Sequence, residues 1–124
     1  MGRVTGIGGI FFKAADPAGL ARWYEQRLGI ALCGDSMAIF RWHDDPRERD
    51  AITVWSAFAR DDDYFRSDVP FMVNYRVDDL DAVLAALRAE GVAVDDRIED
   101  SAEGKFGWLT DPEGNRIELW QPPG

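Results

Sequence analysis

The sequence is poor in the residues that bind metals or cross-link chains: it has one cysteine, Cys33, and one histidine, His43, in 124 residues. A single cysteine excludes an internal disulfide. Cys33 sits between Leu32 and Gly34 with no basic neighbour to activate it, and is expected to be a small core residue rather than a nucleophile. His43 lies in the polar stretch "RWHDDPRERD" beside Asp44 and Asp45, without the spacing of a metal site, and reads as a surface residue. Basic residues are also scarce, 14 against 23 acidic ones, for a formal net charge of −9. That balance argues against a nucleic-acid face, which would have to be basic, and agrees with plain solubility or with a neutral or cationic small-molecule partner. No apolar run approaches the ~20 residues of a membrane span, and the first residues carry no apolar signal-like segment. The expectation is a cytoplasmic protein without membrane contact.

What the sequence does contain is a repeat. "IFFKAADPAGLARWYEQRLGI" and "VNYRVDDLDAVLAALRAEGV" both run from an apolar strand, through a basic residue, to an aspartate followed by a helical pattern and a glycine. The aspartates, Asp16 and Asp79, are 63 positions apart, and the closing segments "ITVW" and "IELW" are 65 apart. Asp16 is positioned to cap a first helix, with Pro17 at its first turn and Gly29 at its end. Leu20, Trp23, Tyr24 and Leu28 form its apolar stripe. Asp79 opens a second helix with the stripe Leu80, Val83, Leu84 and Leu87, ended by Gly91. Three strand-like runs follow each helix: about 31–33, 37–42 and 51–58, then about 93–99, 105–110 and 116–120, with "DPEGN" as a tight turn before the last. The layout is βαβββ twice in one α+β domain: module 1 at about 6–58, a connector at about 59–70, and module 2 at about 71–122. Within the charged connector, Asp61–Phe65 ends in two aromatics, Tyr64 and Phe65, which are expected to pack back on the domain. The opening "GIGGIFF" is unusual for a strand, because Gly6, Gly8 and Gly9 bring nothing to pack and weaken it. A bulge at Gly8 is one way to use them.

The tandem pattern, the segment "DPAGLARWYEQRLGI" and above all the closing "DPEGNRIELW" resemble the vicinal oxygen chelate superfamily. This group includes glyoxalase I, bleomycin-resistance proteins, extradiol dioxygenases and methylmalonyl-CoA epimerase. The resemblance covers roughly residues 7–122. It implies two modules curled into an incomplete, cup-shaped β-barrel with helices outside, and commonly a homodimer. It also implies a divalent metal held by the first and last strands of each module, leaving open positions for two substrate oxygens. Carried over position by position, those four places hold Gly9, Thr53, Met72 and Glu118. Glycine has no side chain, a thioether is too soft for such an ion, and a neutral hydroxyl is a weak donor, so only Glu118 is a convincing ligand. The expectation is therefore no metal and no other cofactor at this site.

Strand alternation then gives the face that would line the cup. With Gly9, Thr53, Met72 and Glu118 turned inward, Phe11, Trp55, Asn74 and Trp120 face inward too, with Lys13, Arg76 and Arg116 nearer the rim. Ile10, Phe12, Val73, Tyr75, Ile117 and Leu119 would face the helices. The candidate ligand-binding residues are Phe11, Thr53, Trp55, Met72, Asn74, Arg76 and Trp120, with Glu118 as the candidate catalytic group. Such a pocket suits a flat or cationic organic ligand. It agrees with the part of the superfamily that works by sequestering antibiotics rather than by turnover. The alternative is a lyase or isomerase with Glu118 as general base and Asn74 or Arg76 steadying an oxyanion. A dioxygenase would need iron ligands that this sequence does not carry.

Overall fold

The computed structural model describes residues 2, 7, 9–47, 49–65 and 68–124; Gly6 and Gly8, and with them the alternative of a bulge at Gly8, lie outside these. Two compact units divide at Asp61/Asp62, so the boundary falls inside the connector and Tyr64 and Phe65 belong to the second unit. No helix among the described residues is long and apolar enough to cross a membrane.

The second unit is a complete βαβββ module. Strand β1 (Val73–Arg76) leads to α2 (Leu80–Ala89), the second helix of the chain, and then to β2 (Val94–Ser101), β3 (Gly104–Thr110) and β4 (Arg116–Gln121). They form an open, mixed four-stranded sheet in the order β1-β4-β3-β2, with β1 parallel to β4 and the other neighbours antiparallel. Helix α2 starts as its sequence dictates: the Asp79 carboxylate accepts from the Ala82 N–H at 3.1 Å. The Gln121 side chain, from the end of β4, takes a second free N–H, that of Leu80, at 2.8 Å. One sheet face packs on this helix, burying Leu80, Leu84 and Leu87 with Leu109, Ile117 and Leu119. Gly107 lets the helix approach closely, since a Cβ there would sit 3.1 Å from Leu84 Cδ1. At Gly104 the backbone has φ +118°, and a Cβ would run into the Gln121 carbonyl, so only glycine fits this corner between β2 and β3. The β3–β4 turn is organised by the buried Asp111, whose Oδ1 accepts from the N–H groups of Glu113 and Asn115, both at 2.9 Å.

The first unit holds helix α1 (Pro17–Leu28) with the expected ends: Asp16 accepts from Gly19 N–H at 3.0 Å and Gly29 closes it at φ +70°. Leu20 and Tyr24 are its buried residues. Among the described residues the rest of this unit carries a single bridge, Leu32 to Ala38, and a short 3₁₀ turn over Trp42–Asp44. The runs 37–42 and 51–58, expected as strands, lie outside any regular ladder. Two or three strands without a well-covered face are marginal in water, and α1 buries only Leu20 and Tyr24 of the expected stripe Leu20, Trp23, Tyr24 and Leu28. Ile10 and Phe12, expected to face the helices, are about half exposed instead. Cys33 also departs from expectation. Its N–H donates to the Met37 carbonyl at 2.8 Å, and this tight reversal turns the thiol outward, so it is an exposed cysteine and not a core residue.

Candidate functional site

The sheet face away from α2 carries the candidate site of the second unit. The turn at 111–115 places Trp108 opposite Glu118 and Phe106 opposite Trp120, and the parallel pairing places Asn74 beside Glu118 and Arg76 beside Trp120. These side chains therefore share one face, as period-two alternation requires.

Glu118 is the centre of this face and is 7% exposed. An ionised carboxylate in that position must be hydrogen-bonded, and it is. Its Oε1 accepts from Asn74 Nδ2 at 2.7 Å, and its Oε2 accepts from Trp108 Nε1 at 2.9 Å and from the Tyr64 hydroxyl at 2.7 Å. Three donors thus converge on one acceptor group. Trp108, 1% exposed, has its faces and edges filled. Tyr64 meets it edge-on, with ring centroids 6.1 Å apart at 80°, and the Arg97 guanidinium lies over its ring at 4.6 Å. Arg97 is steadied in turn by Glu99 at 3.0 Å. The Tyr64 phenol is held well above its usual pKa range, first by burial and then by its hydrogen bond to Glu118. The charges of Glu118 and Glu99 add to this, and Arg97 opposes it. Tyr64 is thus a neutral donor.

The flanks of the face are also tied down. Trp120 stacks on Phe106 with centroids 6.1 Å apart and donates from Nε1 to the Glu103 carbonyl at 2.8 Å. Arg116, expected near the rim of the pocket, is committed to Asp95 in a two-point ion pair, Nη1 donating to Oδ1 at 2.8 Å and Nη2 to Oδ2. Each partner has its charged form favoured by the other: Asp95 is lowered and Arg116 raised.

Of the residues singled out in the sequence, Asn74, Arg76, Glu118 and Trp120 come together on this face. Met72, half-buried, immediately precedes β1. Gly9, Phe11, Thr53 and Trp55 belong to the first unit, where Phe11 is 94% and Trp55 79% exposed. His43 is exposed, with Nε2 at 3.3 Å from Asp44. Three residues of the site were not identified from sequence: Tyr64, Arg97 and Trp108. Trp108 was within reach, because counting outward from the "DPEGN" turn pairs it with Glu118.

The donor set decides what Glu118 can hold. A metal ligand needs other lone pairs around the ion, whereas the neighbours of this carboxylate are N–H and O–H groups that point their hydrogens at it. Among the described residues no three His, Cys, Asp or Glu side chains converge on a common point. In the second unit the described neighbours of Glu118 are thus hydrogen-bond donors rather than the further carboxylate or imidazole ligands that such an ion takes.

Comparison with known proteins bears on the fold. A glyoxalase-like domain family matches residues 9–120. No curated protein matches the sequence at a significant level. Among solved structures, TnmS3, an antibiotic binding protein from Streptomyces sp. CB03234, is 23% identical over 89% of each chain, with a TM-score of 0.54. A lactoylglutathione lyase from Agrobacterium tumefaciens is 15% identical over 97% of this chain and 96% of its own, with a TM-score of 0.56. The family match spans nearly the whole sequence, including both helices, the β3–β4 turn and Glu118, and the chain belongs to the glyoxalase-like domain family within the vicinal oxygen chelate superfamily.

Proposed function

We propose that this is a small-molecule-binding protein that works without a metal, and that its site takes a flat or cationic organic ligand on an aromatic-lined sheet face. The observation that carries the reading is the saturation of Glu118 by Asn74, Tyr64 and Trp108. In a metal-dependent relative this position would supply a charge to the ion; here the same charge is balanced by three donors. A carboxylate so arranged is an anchor for hydrogen-bonding groups in an apolar surround, the usual composition of a small-molecule site. The similarity of fold to an antibiotic-binding protein favours binding over turnover. In the second unit Met72, Asn74, Arg76 and Trp120 remain the side chains proposed to meet the ligand, and the acidic charge of −9 suits a neutral or cationic one.

The test is metal analysis of protein purified without chelators, together with a thermal-shift screen of aromatic and cationic metabolites. The expected result is substoichiometric divalent metal, a melting temperature unmoved by a chelator, and a rise of several degrees with at least one aromatic compound at saturating concentration, by mass action. About one divalent ion per chain, lost together with stability in Glu118→Gln, would overturn the reading.

A further inference from the structure

We infer that Tyr64 is an internal surrogate for the ligand, and that the site takes a neutral hydroxyaryl molecule whose O–H donates to Glu118 Oε2 in place of the Tyr64 hydroxyl. The inference rests on the binding reading above and narrows it to one ligand class.

The three donors on Glu118 are not equivalent. Asn74 and Trp108 stand on β1 and β3, fixed by the ladders on either side of β4. Tyr64 comes from the segment before β1, outside any helix or strand, and reaches Glu118 across 54 positions of sequence. It is the donor that can leave without breaking the sheet. Its departure would uncover two things at once: one acceptor position on Oε2 and the edge-on aromatic seat against Trp108. A ring carrying a hydroxyl reproduces both contacts, because it is the chemistry that fills them now.

The other ligand classes fit less well. An anion would face the buried carboxylate of Glu118 at the centre, and the nearby guanidinium of Arg97 is already engaged by Glu99 at 3.0 Å. A cation would seek the face of Trp108, but the guanidinium of Arg97 already lies there at 4.6 Å, steadied by Glu99. A flat molecule without a donor would leave the Oε2 position vacated by Tyr64 unfilled, inside a site where an unmet charge is costly. A neutral hydroxyaryl group avoids all three penalties.

Calorimetric titration of the full chain at neutral pH with 2-naphthol, 2-methoxynaphthalene and phenyltrimethylammonium tests this. The first two differ only by capping the donor. 2-Naphthol is expected to bind about tenfold more tightly than 2-methoxynaphthalene, the worth of one hydrogen bond to a charged acceptor, and more tightly than the ammonium. Tyr64→Phe, which keeps the ring and the fold but removes the competing hydroxyl, is expected to bind 2-naphthol several-fold more tightly than the unaltered protein. Glu118→Gln should erase the preference for the donor. Equal binding of the two naphthalenes, or weaker 2-naphthol binding by Tyr64→Phe, would overturn the inference, the latter because Tyr64 would then assist the ligand rather than stand in for it. Binding of phenyltrimethylammonium or 2-methoxynaphthalene without 2-naphthol would remove the hydroxyaryl class and leave the binding reading intact. Failure of all three compounds would overturn the hydroxyaryl class, and only a blank metabolite screen as well would take the binding reading with it.

Discussion

Tyr64 joins a connector to a buried carboxylate, and its protonation state reports whether that junction exists in solution. Its phenol is raised by burial and by Glu118, with Glu99 adding to the effect and Arg97 opposing it. A phenol in the unfolded chain loses its proton near pH 10. Above that pH the unfolded chain releases a proton that the folded chain retains, so stability falls as pH rises from about 10 upward. Below it, Tyr64 contributes no pH dependence. The expected outcome of an absorbance titration at alkaline pH is that Tyr64 ionises only as the protein unfolds. Tyr64→Phe should remove that step and shift alkaline unfolding to higher pH. An ordinary phenol step near pH 10 that disappears in Tyr64→Phe would show that the hydroxyl does not rest on Glu118.

Strands β2 and β4 are not neighbours in the sheet, yet Asp95 and Arg116 reach each other across β3. Asp95 is lowered chiefly by its hydrogen bond from Arg116, with burial working against it. A lowered carboxyl gives stability that is present above its ordinary pKa and lost as pH falls through the folded value. Asp95→Asn is therefore expected to cost about 1 kcal/mol at neutral pH, a modest figure because both side chains are partly exposed. The cost should shrink toward zero in strongly acidic solution, read by denaturant unfolding at both conditions. An equal loss at both pH values would assign it to packing rather than to the ion pair. At this scale the sequence was largely legible. Both helices begin at their aspartates, and the alternation along "RIELW" puts Glu118 and Trp120 on one face of the sheet and Ile117 and Leu119 on the other. What could not be read were contacts that no periodicity carries. Tyr64 lies 54 residues from its partner on an irregular segment, and Arg97 falls within the register shift between Val94 and Ile98, which disturbs simple counting of faces. Cys33 was misread because a short bridge, unlike a strand, has no face to bury it.

The two units differ in how much apolar surface they cover. The second encloses its leucines between α2 and the sheet, whereas the first leaves Phe40, Trp42 and Trp55 largely exposed, Trp42 at 84%. Exposed aromatics in such number mark a surface made for contact, and a net charge of −9 makes nonspecific clustering a poor way to cover it. A homodimer, as the superfamily resemblance suggests, would cover it specifically. The chain is expected to sediment at twice its 13.9 kDa mass at micromolar concentration. The sharper measurement is hydrogen exchange as a function of dilution. Amides of β3 and β4 hold their protection from ladders within the chain, so their exchange should not depend on concentration. Residues 51–58 lie outside any helix or strand, so for a dimer formed through this unit their protection is expected to fall on dilution below the dimer dissociation constant. Concentration-independent protection across 51–58 in a chain that sediments at 13.9 kDa would mean that these residues find their ladder within one molecule, and the case for a dimer would be lost.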